Sequence, residues 1–242
     1  MNNRYIQRLL HHHIYDADSS PLLIEIELLL LTFATGIQDA AAYPDYQCFA
    51  SNQTGNTIFL AVAVARIGDG LFDVKNIGVS LGCFLAGSYV MGQLGNLIGP
   101  RRRVWLLLTN FIQVIMVFVA AGVQWKAGVD HSGPITLAIL FLLSFSSGAQ
   151  VAMTRPLKIT QITTAMATAA FVDLLVDPHV HKLHNRARNR RLLFLLCLAL
   201  GAMVGAFIYS YRGSAATLLA CAVSKTVVMI LFYFNDGEME EK

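Results

Sequence analysis

The residues in this chain that could do chemistry are few and clustered. Asp39 lies in the stretch Gly36-Ile37-Gln38-Asp39-Ala40 near the end of a mostly apolar segment. If that segment is a membrane helix, a charge several turns inside it costs about 2.5–3.5 kcal/mol on insertion scales, so it must meet a partner, water or a ligand. Proton or cation coupling fits such a group, as does anchoring of a cationic substrate. Two structural readings compete. One is a position at the membrane interface, because Tyr43-Pro44-Asp45 follows; the other is a hydrogen bond to a neighbouring helix. Next along the chain, Asn52, Gln53, Thr54 and Asn56 crowd together around Gly55. Free N–H groups at a helix start favour anions, and side-chain amides bind either sign. The competing reading is an N-cap, in which Asn52 or Thr54 satisfies orphan backbone donors.

Gln150, Thr163, Thr164, Thr168 and Asp173 form a second polar series. Helix–helix hydrogen bonding is the simpler explanation there. Lys225 sits near the middle of the apolar stretch 214–234, placed either to pair with Asp39 or to snorkel to the interface. Asn96, Asn110 and Gln113 read as helix–helix contacts. His179-x-His181-x-x-His184 has a metal-like spacing, but Lys182, Arg186, Arg188, Arg190 and Arg191 surround it. A basic loop touching anionic lipid is the expectation. The run His11-His12-His13 is at best a weak metal binder. Cys48, Cys83, Cys197 and Cys221 form no C-x-x-C pair, so neither a zinc site nor a disulfide framework is indicated. No H-E-x-x-H, G-x-S-x-G or phosphate-loop pattern is present. The expectation is a non-enzyme with no catalytic residues, no metal and no cofactor.

The elements that must position these residues follow from charge. Of 242 residues, 55% are apolar and only 14% charged, against roughly 25% charged in a typical soluble domain. The stretches 76–100, 104–125, 132–154 and 192–211 contain no Asp, Glu, Lys or Arg. About 20 helical residues cross the roughly 30 Å hydrocarbon core, so four such runs exclude a soluble protein. They also exclude a transmembrane β-barrel, whose strands alternate in polarity over roughly ten residues. Segments 21–43 and 214–234 add two further spans. Segments 49–65 and 160–176 are weaker: each is a short full span, a half-helix or a re-entrant segment. The net charge of +3 gives no nucleic-acid footprint.

The two halves of the chain match. Gly36-Ile37-Gln38 is echoed by Gly148-Ala149-Gln150 at a shift of 112, and Thr54-Gly55-Asn56 by Thr168-Ala169-Ala170 at 114. Gly87 meets Gly201, also at 114. A common shift across three segments implies internal duplication. Full crossing by both weak segments would give eight spans and parallel repeats; re-entry by both would give six and inverted repeats. For eight spans, eleven Lys and Arg fall on the side of the N-terminus and six on the other, which favours cytoplasmic termini. The Arg101-Arg102-Arg103 cluster dissents. Gly201-x-x-x-Gly205 suits close packing against a helix of this chain or of a second protomer, making a homo-oligomer one expected partner.

Gly36-x-x-Asp39-Ala40 followed by Phe49-x-Ser51-x-x-Thr54-Gly55-Asn56 resembles the hallmark of the YoaK family, multi-pass membrane proteins of unknown function. The stretch 164–174, then Asp177-Pro178 and Arg188-Asn189-Arg190-Arg191, resembles its fungal-type branch. One departure is Val151, where the family has a polar residue after the glutamine. The resemblance covers about residues 22–234. It implies fold and membrane location and supplies no substrate.

The sequence therefore predicts an all-α, polytopic transmembrane helix bundle of 6–8 membrane segments with an internal duplication. A polar tail at 1–20 and an acidic tail at 235–242 flank one integral-membrane domain at 21–234, with repeat halves at about 21–125 and 132–234. The expected function is a permease-like transporter for a polar small molecule or ion. Its site is expected where the two interrupted segments meet, lined by Gln38, Asp39, Asn52, Thr54, Asn56 and Gln150, with Lys225 as a charge partner. The alternative is a non-transporting membrane scaffold or assembly protein. The lipid bilayer is the expected partner, in a cellular membrane that the sequence does not specify.

Overall fold

The structure, a computed structural model, describes residues 22–67, 72–182 and 184–234. The two expected tails, Pro21 and the His11-His12-His13 run lie outside the described residues. Among the described residues seven α-helices and no strand form: α1 (Leu22–Tyr46), α2 (Gln53–Val64), α3 (Val74–Ile98), α4 (Arg103–Ala127), α5 (Pro134–Thr154), α6 (Thr168–Leu175) and α7 (Arg186–Phe234). Local chemistry sets their ends. The Asp73 side chain accepts from the Lys75 and Asn76 amides and so starts α3. Pro134 takes the first turn of α5, where its missing N–H is not needed.

α3, α4, α5 extended to Leu157, and α7 are long and apolar enough to cross a membrane. α1 matches α3 and α4 at 25 residues, roughly 37 Å, but carries Glu25, Glu27, Asp39 and Asp45. α7 is interrupted at Gly213, whose φ of 80° breaks the helix into arms at 186–212 and 214–234. The arms fold back on each other, since Gly201 and Cys221 both lie against the Phe33–Gln38 stretch of α1. α2 and α6 have 12 and 8 residues, roughly 18 and 12 Å. Neither weak segment is a full crossing.

Contacts give the helix directions. Along α1, Glu25 meets Arg190, Gly36 meets Leu198 and Ala202, and Asp45 meets Tyr209, so α1 and the first arm of α7 run parallel. Ser80 meets Ser144, Gly87 meets Phe145 and Ser88 meets Gly148, so α3 and α5 are parallel too. α1 is antiparallel to α5, and α4 to the second arm of α7. Both parallel pairs cross at glycines. A Cβ on Gly36 would collide with Leu198 O and one on Gly201 with Phe33 O; likewise Gly148 with Phe84 O and Gly87 with Phe145 O. Phe33 and Phe145 are 112 positions apart, and Phe84 and Leu198 are 114 apart. The two crossings therefore use residues related by the same two sequence separations. Gly205 packs on Ile37 and Ala40 of α1, so the Gly201-x-x-x-Gly205 face meets a helix of its own chain.

The apolar core is in two layers. Ile24, Leu28, Trp105, Leu106, Met153, Phe194 and Phe232 form one. Ile37, Tyr46, Ile77, Val117, Leu140, Leu143 and Leu218 form the other. Between them lies a polar layer.

Candidate functional site

Four helix segments supply that layer. α1 contributes Thr35 and Gln38, α4 contributes Gln113, α5 contributes Ser147 and Gln150, and the second arm of α7 contributes Lys225. The Lys225 ammonium donates to Gln150 Oε1 at 2.5 Å and Gln113 Oε1 at 3.0 Å. Gln150 Nε2 then donates to Thr35 Oγ1 at 2.9 Å. Across the same junction, Gln38 Nε2 donates to Ser147 Oγ at 2.7 Å and to Leu143 O at 3.3 Å. In the sequence, Gln38 and Gln150, Thr35 and Ser147, and Gln113 and Lys225 each stand 112 positions apart. Gln38, Gln150 and Lys225 are 1–2% exposed, and Gln113 is fully buried.

The layer holds one formal charge and no opposite charge. No carboxylate of the described residues lies within ion-pairing distance of Lys225. Gln113 Nε2, buried beside it, has no hydrogen-bond partner among the described residues. Lys225 also retains a third N–H. The unfilled capacity at this point is donor capacity, which suits an acceptor-rich ligand.

The other expected site residues lie elsewhere. Asp39 Oδ1 accepts from the Ala50 and Ser51 amides, both at 3.0 Å, and Oδ2 from Ser51 Oγ at 2.5 Å. It holds the bend before α2 and does not touch Lys225. Asn56 is buried; its side chain bonds both polar backbone atoms of Phe49 and donates to Gln53 Oε1 at 2.8 Å and Ser80 Oγ at 3.2 Å. Asn52 caps α2 through the Gly55 amide at 3.4 Å, and Thr54 is exposed. These residues sit where α1 ends. Thr163, Thr164, Thr168 and Asp173 sit beyond the end of α5, at the opposite end of the bundle. The two interrupted segments do not meet, because α1 and α5 run antiparallel. What meets at mid-bundle is α1 with α5, through Gln38 on Ser147 and Gln150 on Thr35, with Lys225 bridging Gln150 and Gln113.

Sequence reasoning passed over a further cluster. The Asp45 carboxylate accepts from Tyr209 Oη at 2.6 Å, while Gln124 accepts from Tyr46 Oη at 2.6 Å and donates to Ser214 Oγ at 3.0 Å. It joins α1, α4 and both arms of α7 near Gly213. Its only sequence signal is a carboxylate just after Pro44. In the basic loop, the His179 amide and then the Asn185 side chain hold the Asp177 carboxyl below the usual carboxylate range. His179 and His184 line an open cavity of about 620 Å³ with Asp177, Lys182 and Arg191. No group of three or more potential metal-ligating side chains converges among the described residues.

The match to a family model runs over residues 28–231, from the first helix to the last. The chain belongs to the DUF1275 family. That family is described as a protein of unknown function, in agreement with the family resemblance read from the Gly36–Asn56 motif. The DUF1275 match takes in Gln38, Gln113, Gln150 and Lys225 and leaves out Glu25. No curated protein and no solved structure matches the chain.

Proposed function

We propose that this DUF1275 chain is a small permease, not an enzyme, and that it moves an anionic or acceptor-rich solute past Lys225. The observation that carries the reading is the Lys225 ammonium, buried between two glutamine oxygens with no carboxylate partner among the described residues. A charge in that position is costly unless it has a task or a mobile counter-charge. The closed geometry corresponds to an occluded state, with solute entering as the helices part.

The matched glycine crossings and the three pairs of polar residues at a separation of 112 support an internal duplication with inverted halves. One half is α1, α3 and α4; the other is α5 and the two arms of α7. The bundle then has six crossings, with α2 and α6 as partial helices at opposite faces. Transporters built from inverted repeats have their sites where the repeats meet. The stretch 164–174 and Arg188-Asn189-Arg190-Arg191 support membership of the fungal-type branch.

Flux in proteoliposomes tests the proposal, using chloride, phosphate and small carboxylates against potassium and a neutral sugar. Lys225→Met should lower anion flux by roughly tenfold or more, the equivalent of about 1.4 kcal/mol. Lys225→Arg should keep part of it. Gln150→Glu, which installs a fixed counter-charge, should also block flux without unfolding the chain. Flux unchanged by Lys225→Met would overturn the role of Lys225, and a folded protein that moves none of these solutes would point to the scaffold reading. That alternative draws on one observation: Gln38, Gln150 and Lys225 are buried and bonded to neighbouring side chains.

A further inference from the structure

We propose that the solute held at Lys225 is a small hydroxy carboxylate, with its carboxylate on the Lys225 ammonium and its hydroxyl on the side-chain oxygen of Asn110. The inference rests on the permease reading above and names the solute class. Among the described residues nine buried side-chain polar atoms have no hydrogen-bond partner, and four of them belong to Thr109, Asn110, Gln113 and Ser146. All four residues are fully buried. Thr109 and Asn110 precede Gln113 by four and three positions on α4, and Ser146 precedes Gln150 by four on α5. Residues at those spacings share a helix face. The unpartnered atoms therefore lie on the faces of α4 and α5 that carry the two glutamines bonded to Lys225.

Two rungs join α4 to α5 here. In one, Lys225 bridges Gln113 and Gln150. In the next, one turn nearer the start of α4, Asn110 Nδ2 donates to Met153 Sδ at 3.4 Å and to Leu106 O at 3.0 Å. Both Asn110 donors are used, and Oδ1 is left as a buried acceptor. The Lys225 rung has the opposite surplus: a third ammonium N–H and Gln113 Nε2. Side chains three positions apart on a helix have Cβ atoms about 5–6 Å from each other. Surplus donors and a buried acceptor at that spacing match a solute with an anionic group and a neutral donor on neighbouring carbons. A halide or a plain carboxylate would leave Asn110 Oδ1 unpaired. An ammonium in place of the hydroxyl would face Lys225 as a like charge in a layer of low dielectric. One lysine balances one negative charge, so a monocarboxylate fits better than a divalent phosphate.

The test compares lactate with propionate, which differ by one hydroxyl, as fluxes in proteoliposomes and as shifts in thermal unfolding of the full chain in detergent. The parent chain should favour lactate about tenfold, near the upper end of what one hydrogen bond supplies. Lactate should also raise the Tm more than propionate at equal concentration. Asn110→Leu should erase the preference. A purely structural role for Asn110 would lower both fluxes and keep their ratio. Equal handling of the two solutes by the parent chain, or a preference that survives Asn110→Leu, would overturn the hydroxyl assignment while anion flux through Lys225 stood. Loss of the whole permease reading has a different signature: neither solute moves and neither shifts the Tm of a folded chain. If Asn110→Leu does not fold, Asn110→Ala, which removes the acceptor without adding bulk, takes its place.

Discussion

Removing the Asp39 carboxylate would leave the Ala50 and Ser51 amides and the Ser51 hydroxyl without their acceptor. A buried donor left unpaired costs about 1–3 kcal/mol, so Asp39→Ala should lower stability by that order and speed hydrogen exchange at 50 and 51. Any loss of flux should track the folded fraction. If Asp39→Asn abolished flux at full stability, the carboxylate would be a working group after all. Asp39 stands out in the sequence because it is a charge in an apolar stretch. Its partners cannot be read there, because two of the three are backbone N–H groups, which have no residue signature. Gln113 shows the opposite case. Polar residues of its type are common helix–helix contacts, and only its distance of 112 from Lys225 marks it. Lys225 is conspicuous for the same reason as Asp39, yet attraction between the two charges does not bring them together. Asp39 is engaged eleven and twelve residues downstream, before any long-range pairing is needed.

Glycine acts between elements here at particular sites. Gly36, Gly87, Gly148 and Gly201 stand where one helix backbone rests on another, whereas a Cβ added at Gly78 or Gly82 would meet nothing within 4 Å. Gly36→Val and Gly148→Val should each destabilise the bundle by about 1–3 kcal/mol or more, through overpacking. Gly78→Ala should stay within roughly 0.5 kcal/mol of the parent. Thermal unfolding in detergent separates these outcomes, and equal losses at Gly78 and Gly36 would refute the crossing geometry. Composition alone groups Gly82 with Gly87 as one small-residue face; which of them touches a neighbour depends on crossing angle. The long helices are legible as charge-free runs. The partial nature of α2 and α6 is not, since a half-helix and a short span have similar composition.

At the scale of the molecule, the partial α2 and α6 reassign the basic loops. Among the described residues ten Lys and Arg gather where α1 begins: Arg101, Arg102, Arg103, Arg155, Lys158, Lys182, Arg186, Arg188, Arg190 and Arg191. Four lie at the other end: Arg66, Lys75, Lys126 and Arg212. The dissent of Arg101-Arg102-Arg103 disappears, and the basic end is expected in the cytoplasm. Single cysteines at Lys158 and Lys182, in a chain with its four native cysteines changed to Ser, should label from the same side. A cysteine at Lys75 should label from the other. Eight crossings would instead put 158 and 182 on opposite sides. Charge counts in the sequence cannot reach this result, because the count depends on which segments cross.

The parallel pairs also have a consequence in time. α1 rests on a helix whose contact glycine, Gly201, is made 165 positions after Gly36. At about 5–20 residues per second, a ribosome needs roughly 8–33 seconds to supply it. During that interval the small-residue face of α1 is without its partner, while α3 waits for α5 over a shorter stretch. Membrane insertion therefore precedes final packing, and the nascent chain remains open to capture or degradation until its last hairpin arrives.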